Sequence, residues 1–242
     1  MLLALTAGLI SGLALVAGAA VAWFARIPRK VVGAIMALGA GVLISALAFD
    51  LVEEADATGG LVPTLAGFVL GALVYLGADL LLERAGSRHH RKGGDAATSG
   101  TGLGIALGAL LDGIPETAVQ GVQVAATGLP VAVLVAVVVS NVPEGLASTA
   151  DLKSSGRSAR YVFGLWGVTT LVCAGSAALG FAVLGSAPPE VSAGVTAFAA
   201  GAILAMLCNT MLPEAFRQVR AWTGALTVVG FLAGYVVHSL AG

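Results

Sequence analysis

Leu-Asp-Gly-Ile-Pro-Glu (111–116) and Ser-Asn-Val-Pro-Glu-Gly (140–145) each place a glutamate directly after a proline within strongly apolar sequence. The segments around both stretches are apolar enough to cross a bilayer. A carboxylate is costly in hydrocarbon, so polar residues at membrane depth mark a candidate ion-handling site. Because two neighbouring segments carry the same pattern, they indicate one cation site shared between two helices.

The composition is that of an integral membrane protein. Of 242 residues 58% are hydrophobic and 10% are charged, with a mean hydropathy of +0.97. Soluble domains are nearer half apolar and a quarter charged. The net charge of −1 gives no sign of nucleic-acid binding. Cys173 and Cys208 both fall in apolar spans and are expected to be small core residues rather than a disulfide.

The apolar runs predict an all-α, single transmembrane domain over residues 1–242. Crossing a membrane takes about 20 apolar residues. Eight such runs occur, at about 2–25, 31–54, 61–83, 101–125, 129–150, 160–185, 190–213 and 222–241. The one long connection, 84–100, is polar and contains His89 and His90, and it is expected to be a flexible loop.

The basic residues predict an orientation. All 12 Lys and Arg lie in alternate loops, at positions 26, 29, 30, 84, 88, 91, 92, 153, 157, 160, 217 and 220. The opposite loops hold the acidic residues Glu53, Glu54, Asp56 and Glu190. By the positive-inside rule, both termini lie outside and loop 84–100 is cytoplasmic, which suits a multi-pass protein of the cell (inner) membrane.

Two segments indicate an internal repeat. Residues 40–55 in the second span resemble residues 200–215 in the seventh, and the two spans run in opposite directions. They predict inverted copies, helices 1–3 and helices 6–8, around the central helices 4 and 5. Such repeats with a site near the midplane are typical of transporters.

The central pair supplies the candidate ligands. Residues four apart share one face of a helix, as Asp112 and Glu116 do, and as Ser140 and Glu144 do. Asn141 lies three residues before Glu144. Pro115 and Pro143 each remove an N–H and so free the carbonyls of Leu111 and Val139, while Gly113 and Gly145 are expected to let the backbone open further. The candidate metal ligands are Asp112, Glu116, Ser140, Asn141 and Glu144.

A simpler interpretation makes these residues contacts between kinked helices, since a buried Asn or Ser usually joins membrane helices. Three carboxylates with no Lys or Arg inside the spans are harder to explain in that way. They must be protonated or hold a cation. The pattern therefore favours a metal or proton site.

With these motifs the sequence resembles the ZIP (Zrt/Irt-like) metal transporters, especially their bacterial branch. Residues 140–145 match the family's helix-5 motif, His-Asn-x-Pro-Glu-Gly, in all but the first position, and residues 112–116 keep the Pro-Glu of helix 4. Residues 49–55 and 212–215 resemble the ends of the family's helices 2 and 7. The resemblance implies eight spans, a homodimer, and uptake of divalent metal by movement of helices 1, 4, 5 and 6 against helices 2, 3, 7 and 8.

The departures from the family pattern concern the ligands. The family usually has histidine at the position of Asp112, asparagine at that of Gly113, and a further glutamate in helix 6 that this chain lacks. Oxygen ligands suit manganese and magnesium, whereas zinc favours nitrogen and sulfur. The expected substrate is a divalent metal, with zinc first by family and manganese, iron or cadmium as further candidates.

Other functions remain as alternatives. A membrane enzyme is disfavoured because the chain has no His-Glu-x-x-His and no motif for an organic cofactor. A metal-binding sensor or structural protein without transport is the main alternative, and a proton or monovalent-ion channel is another. Asp50, Glu53 and Glu54 could attract cations to an entrance or form a solvated helix end.

Overall fold

A computed structural model of the protein describes residues 1–84, 101–184 and 187–241. The described chain is helical and contains no strand. The helices are α1 (Leu2–Phe24), α2 (Arg29–Ala46), α3 (Glu53–Gly59), α4 (Leu61–Arg84), α5 (Thr101–Ala126), α6 (Val131–Ser154), α7 (Ala159–Leu184), α8 (Pro189–Met206), α9 (Leu212–Val219) and α10 (Trp222–Ala241). His89, His90 and nearly all of the predicted cytoplasmic loop lie outside the described residues.

Two short π-helical segments interrupt the helical rods. The first wide turn, Leu47–Val52, joins α2 to α3, and the second wide turn, Leu207–Met211, joins α8 to α9. Both begin at the same position of the two segments that the sequence aligns, 40–55 and 200–215. The shared position supports the predicted inverted repeat, which itself stays a prediction.

Seven continuous helical segments of the described chain are long and apolar enough to cross a membrane. Two of them join helices through a wide turn, α2 with α3 and α8 with α9. The seven segments are Leu2–Phe24, Arg29–Gly59, Leu61–Leu82, Val131–Ser154, Ala159–Leu184, Pro189–Val219 and Trp222–Leu240. The predicted span 101–125 is present as α5 but is not one of the seven. It carries two carboxylates and two glutamines, which lower its hydropathy. An eighth membrane span therefore stays a prediction.

The packing sorts the helices into two groups. Helix α1 packs on α6 and α7, and α5 packs on α7, whereas α2 packs on α10 and α4 on α8. Contacts of α2 with α6 and of α5 with α8 join the groups. Large apolar side chains on α4, α7 and α10 are exposed, as expected of surfaces that face lipid.

Small residues allow close approach at equivalent places. A Cβ on Gly41 would lie 2.0 Å from the Thr227 carbonyl oxygen of α10, and one on Gly201 would lie 1.9 Å from the Phe68 carbonyl oxygen of α4. The backbones are thus in direct contact, which is typical of membrane helix pairs. Gly41 and Gly201 are again partners in the aligned segments.

The two ends of the bundle differ in charge. At the basic end, the Lys153 ammonium donates to the Trp23 carbonyl, and Gly33 packs against Gln218. At the acidic end, Gly59 packs against Glu190, close to Glu53 and Asp56 in sequence. This separation agrees with the alternation of charged loops, while the direction in which the protein lies in its membrane stays a prediction.

Candidate metal site

One cavity brings together four of the five predicted ligands. It has a volume of about 1360 Å³ and is lined by Asp112 and Glu116 of α5 and by Ser140 and Glu144 of α6. Helical spacing of four residues puts each pair on one face, and the packing of the bundle turns both faces toward the cavity. Asp112 is 4% exposed and Glu116 is 2% exposed.

The cavity continues from these residues toward the basic end. Its further lining includes Asp79, Asp151, Glu214 and Arg217, which lie near the ends of their helices. The Arg217 guanidinium is paired with Glu214. Carboxylates thus follow the cavity from the middle of the bundle to its basic end.

Glu116 is buried beside two other carboxylates. Its Oε2 atom is buried and has no hydrogen-bond partner within the described part of the chain. The carboxylates of Asp112 and Glu144 are near enough to act on it as like charges. A buried carboxylate without compensation is costly, and a bound cation or proton would remove that cost.

In this conformation Asn141 makes a hydrogen bond to another helix, and its place among the metal ligands stays a prediction. Its Nδ2 donates to the Ser11 carbonyl of α1 over 2.9 Å, and it is not among the cavity-lining residues. Ser140 lines the cavity, and its hydroxyl donates to the Val137 carbonyl over 2.9 Å. Asn141 therefore joins α6 to α1, as buried asparagines of membrane helices often do.

The carboxylates share the cavity without forming a compact ligand cluster. In the part of the chain that the structure describes, no group of three His, Cys, Asp or Glu side chains is placed to hold a metal ion. The ligand set Asp112, Glu116, Ser140, Asn141 and Glu144 therefore stays a prediction.

The two motif glycines serve packing rather than opening of the backbone. A Cβ on Gly145 would lie 2.2 Å from the Leu15 carbonyl oxygen of α1, and one on Gly113 would lie 3.1 Å from the Cys173 Sγ of α7. Both helices also continue as α-helix through Pro115 and Pro143. The prediction that these glycines loosen the helices is corrected: Gly145 lets α1 and α6 touch, and Gly113 makes room for Cys173.

Hydroxyl groups bind backbone carbonyls around Pro115. Thr117 Oγ1 donates to the Gly113 carbonyl over 2.7 Å, and Ser176 of α7 donates to the Ile114 carbonyl over 3.0 Å. Neither acceptor is the Leu111 carbonyl that Pro115 frees, so these bonds add to the helical hydrogen bonds and do not replace the lost one. The Ser176 bond also joins α7 to α5.

Sequence reasoning missed the side chains that contact the site from α4 and the second wide turn. Tyr75 of α4 donates to Asp112 Oδ1 over 3.0 Å, and its hydroxyl lies 3.3 Å from Thr210 Oγ1. Asn209 Nδ2 donates to Asp79 Oδ2 over 3.3 Å. The polar run 208–210 in an apolar span was an available signal. No sequence signal distinguished Tyr75.

Cys208 also corrects the sequence interpretation. Of the two cysteines Cys173 is buried, as expected, but Cys208 is exposed and lines the cavity, and neither forms a disulfide. The widened turn presents Cys208 to the cavity instead of the core.

At the acidic end, hydrogen bonds connect α5 to the first wide turn and α3. Gln123 Nε2 donates to the Asp50 carbonyl over 3.1 Å and to Glu54 Oε2 over 2.6 Å. Asp50 Oδ1 lies 2.8 Å from His238 Nδ1 of α10. Glu53 is exposed. Asp50 and Glu54 are thus tied to neighbouring helices, and none of these residues lines the cavity.

Comparisons with known proteins include a similarity to a plant protein. No family model matches the chain. The chain is 31% identical over 206 residues, 83% of its length, to an Arabidopsis thaliana protein named "Putative zinc transporter". The matched region is 32% of that protein, so the chain spans about a third of its relative's length.

Proposed function

We propose that this protein carries a divalent transition-metal cation across a membrane, and that Asp112, Glu116, Ser140, Asn141 and Glu144 form its binding site. The observation that supports this most strongly is Glu116, a buried carboxylate with a partnerless oxygen in a cavity shared with Asp112 and Glu144. The similarity to the Arabidopsis protein, which is named a putative zinc transporter, extends over most of the chain and supports the same proposal.

The donors favour a metal that accepts oxygen ligands. The residues of the two motifs that line the cavity offer carboxylates and a hydroxyl, and His238, the histidine in the described residues, lies at the acidic end. Zinc is the first candidate by similarity, and manganese, iron or cadmium are further candidates. Manganese suits this ligand set better than zinc does.

Transport would proceed by alternating access. The group α1, α5, α6 and α7 carries the site, and the group α2, α4, α8 and α10 would act as the frame against which it moves. In the proposed orientation the basic end is cytoplasmic, so the described cavity would face the cytoplasm. An inside-negative potential favours uptake by about 2.3 kcal/mol per charge per 100 mV. We also propose, from the family resemblance, that the protein works as a homodimer.

The test is metal flux into proteoliposomes that contain a metal-sensitive dye. Zinc, manganese, iron(II), cobalt, cadmium and magnesium are compared for the wild type and for Glu116→Gln, which keeps the side-chain volume and removes the charge. We expect the variant to slow uptake by about a hundredfold, since losing a buried charge partner costs about 3 kcal/mol.

The matched control is Glu190→Gln, an exposed glutamate at the start of α8. Its flux should equal that of the wild type. Binding of metal by the wild type without flux would contradict transport and would favour a metal-binding sensor or structural protein. Flux that is insensitive to every divalent competitor would instead indicate a channel for protons or monovalent ions.

A further inference from the structure

One face of α5 carries polar side chains beyond the end of the cavity. Glu116, Gln120 and Gln123 follow one another at intervals of four and three residues, so they form a polar stripe on one face of the helix. The cavity lining on α5 ends at Glu116, and neither glutamine belongs to it. Gln123 is bonded to the backbone of Asp50 and to Glu54 at the acidic end. The polar stripe therefore runs from the inner end of the cavity to the acidic end of the bundle.

Each side chain of the polar stripe is buried and leaves one polar atom without a hydrogen bond. Glu116 is 2% exposed, Gln120 is 0% exposed and Gln123 is 4% exposed. Their Oε2, Nε2 and Oε1 atoms, respectively, have no partner within the described part of the chain. A buried polar atom without a partner is costly, and native structures contain few of them. Three in succession on one helix face indicate partners that this conformation excludes.

Contacts between helices use the remaining polar atoms of the two glutamines. Gln120 Oε1 accepts a hydrogen bond from Ser11 Oγ of α1 over 3.0 Å, while Gln123 donates to the acidic end. Because a hydroxyl both donates and accepts, the Gln120 amide can turn over and keep its bond to Ser11. In that orientation its oxygen is available to a water molecule or to a cation.

We infer that the polar stripe is the entrance path along which a partly hydrated divalent cation reaches Glu116 from the acidic end. The inference rests on the function proposed above. In this conformation the path is closed, since Gln123 is bonded to the first wide turn and α3. When these elements separate, water supplies the missing partners, and the amide oxygens of Gln123 and Gln120 replace water ligands of the cation in turn.

The chemistry of the polar stripe suits passage better than tight binding. An amide oxygen carries no net charge, so it attracts a cation less strongly than a carboxylate does. A path must bind an ion well enough to admit it and weakly enough to release it. The cation would therefore pass the two glutamines and stop at Glu116, which shares the cavity with Asp112 and Glu144.

The experiment measures from which side of the membrane each position can be reached. Single cysteines replace Gln120 or Gln123 in a protein that carries Cys173→Ala and Cys208→Ser. A membrane-impermeant cationic methanethiosulfonate is added to cells and to inside-out vesicles. A reference protein that keeps Cys208 as its one cysteine identifies the basic side, because Cys208 lines the cavity. We expect Gln120→Cys and Gln123→Cys to react from the opposite side.

The matched control is Ala118→Cys, which lies in the same part of α5 on the face toward α7. There, a Cβ on Gly180 would lie 2.2 Å from the Ala118 carbonyl oxygen. Ala118→Cys should react from neither side, and reaction equal to that of Gln120→Cys would overturn the inference, since the whole helix would then be exposed. Reaction of Gln120→Cys only from the side that labels Cys208, or from neither side, would also overturn it.

A second measurement separates passage from binding. Gln120→Leu keeps a similar volume and removes the polar atoms, so uptake into proteoliposomes should fall about tenfold, the equivalent of about 1.4 kcal/mol. Manganese binding by the purified protein should change by less than about twofold, because the open cavity gives access to Glu116 without the polar stripe. Gln120→Asn keeps the amide and should retain more uptake than Gln120→Leu. Equal losses of binding and of uptake in Gln120→Leu would overturn the inference.

The inference and the proposed function fail in different ways. The labelling needs no metal, so it tests the path by itself. A transporting protein in which position 120 is reached only from the basic side would overturn the entrance path alone. A wild type that moves no divalent metal would contradict the proposed function and the entrance path together.

Discussion

The two wide turns have the same position in their segments and opposite relations to the cavity. The first wide turn lies at the acidic end. There the Asp50 backbone carbonyl accepts a hydrogen bond from Gln123 of α5, and the Asp50 side chain lies within hydrogen-bond distance of His238. The second wide turn borders the cavity through Cys208, Asn209 and Thr210. A π-helical turn interrupts the regular backbone ladder and is frequently found at functional sites.

The difference between the turns shows how one backbone feature can serve two purposes. The first wide turn and α3 receive hydrogen bonds from Gln123 and hold the acidic end of α5. The second wide turn gives polar side chains to the cavity and reaches Asp112 through Tyr75. In this conformation α5 is therefore bonded at its acidic end and faces a cavity that continues to the basic end.

The largest expected effect tests whether the packing beside the two turns is equivalent. Gly41→Ala and Gly201→Ala each place a methyl group about where a backbone carbonyl lies, at 2.0 and 1.9 Å. We expect each to destabilise the protein by about 3 kcal/mol, because a rigid backbone must move. Thermal unfolding of the detergent-solubilised protein, monitored by size-exclusion chromatography, measures the loss of stability.

The control for this pair is Gly167→Ala in α7, where an added Cβ meets nothing within 4 Å. Alanine there should leave stability unchanged or raise it by about 0.5 kcal/mol, since alanine is the better helix former. If Gly41→Ala proves harmless while Gly201→Ala is severe, the two turns do not lie in equivalent packing.

A smaller effect tests the hydrogen bonds that Gln123 makes at the acidic end. The accessibility of Cys208 reports whether the cavity is open. Cys208 is exposed to the cavity and Cys173 is buried, so maleimide should label only Cys208. Gln123→Leu removes the bonds to Asp50 and Glu54. We expect labelling to slow by up to about tenfold, because losing hydrogen bonds to a charged group costs about 1.5 kcal/mol and populates other conformations.

Two variants frame this measurement. Cys208→Ser should abolish labelling. Thr127→Val removes a partly buried bond to the Gln123 carbonyl within the same helix end, and it should leave the rate unchanged. An unaltered rate in Gln123→Leu would mean that the bonds to the first wide turn and α3 do not hold this conformation.

The smallest effects compare the side-chain contacts of the turns themselves. Thr210→Val removes a bond to a buried tyrosine and should cost about 1 kcal/mol. His238→Gln alters a pair in which the side chains are 32% and 16% exposed, and should cost about 0.5 kcal/mol or less. Chemical or thermal unfolding of both variants measures the two losses of stability. A larger loss of stability for His238→Gln than for Thr210→Val would contradict the expected order.

Much of the site followed from local sequence because helical spacing is a local property. The intervals between Asp112 and Glu116 and between Ser140 and Glu144 placed each pair on one face, and the structure puts all four on one cavity. Asn141 also makes a contact that spacing did not predict. It lies next to that face, but the carbonyl of Ser11 on a distant helix takes its amide.

The sequence by itself determined the membrane class, the helical segments and the carboxylate-bearing faces, since hydropathy and helical periodicity are carried by neighbouring residues. Only the tertiary structure decided that Tyr75 would reach Asp112, that Gln123 would hold the first wide turn, and that Cys208 would face the cavity. These contacts join residues far apart in the chain. They depend on how helices rotate and approach one another, and on two π-helical turns that no residue pattern predicted.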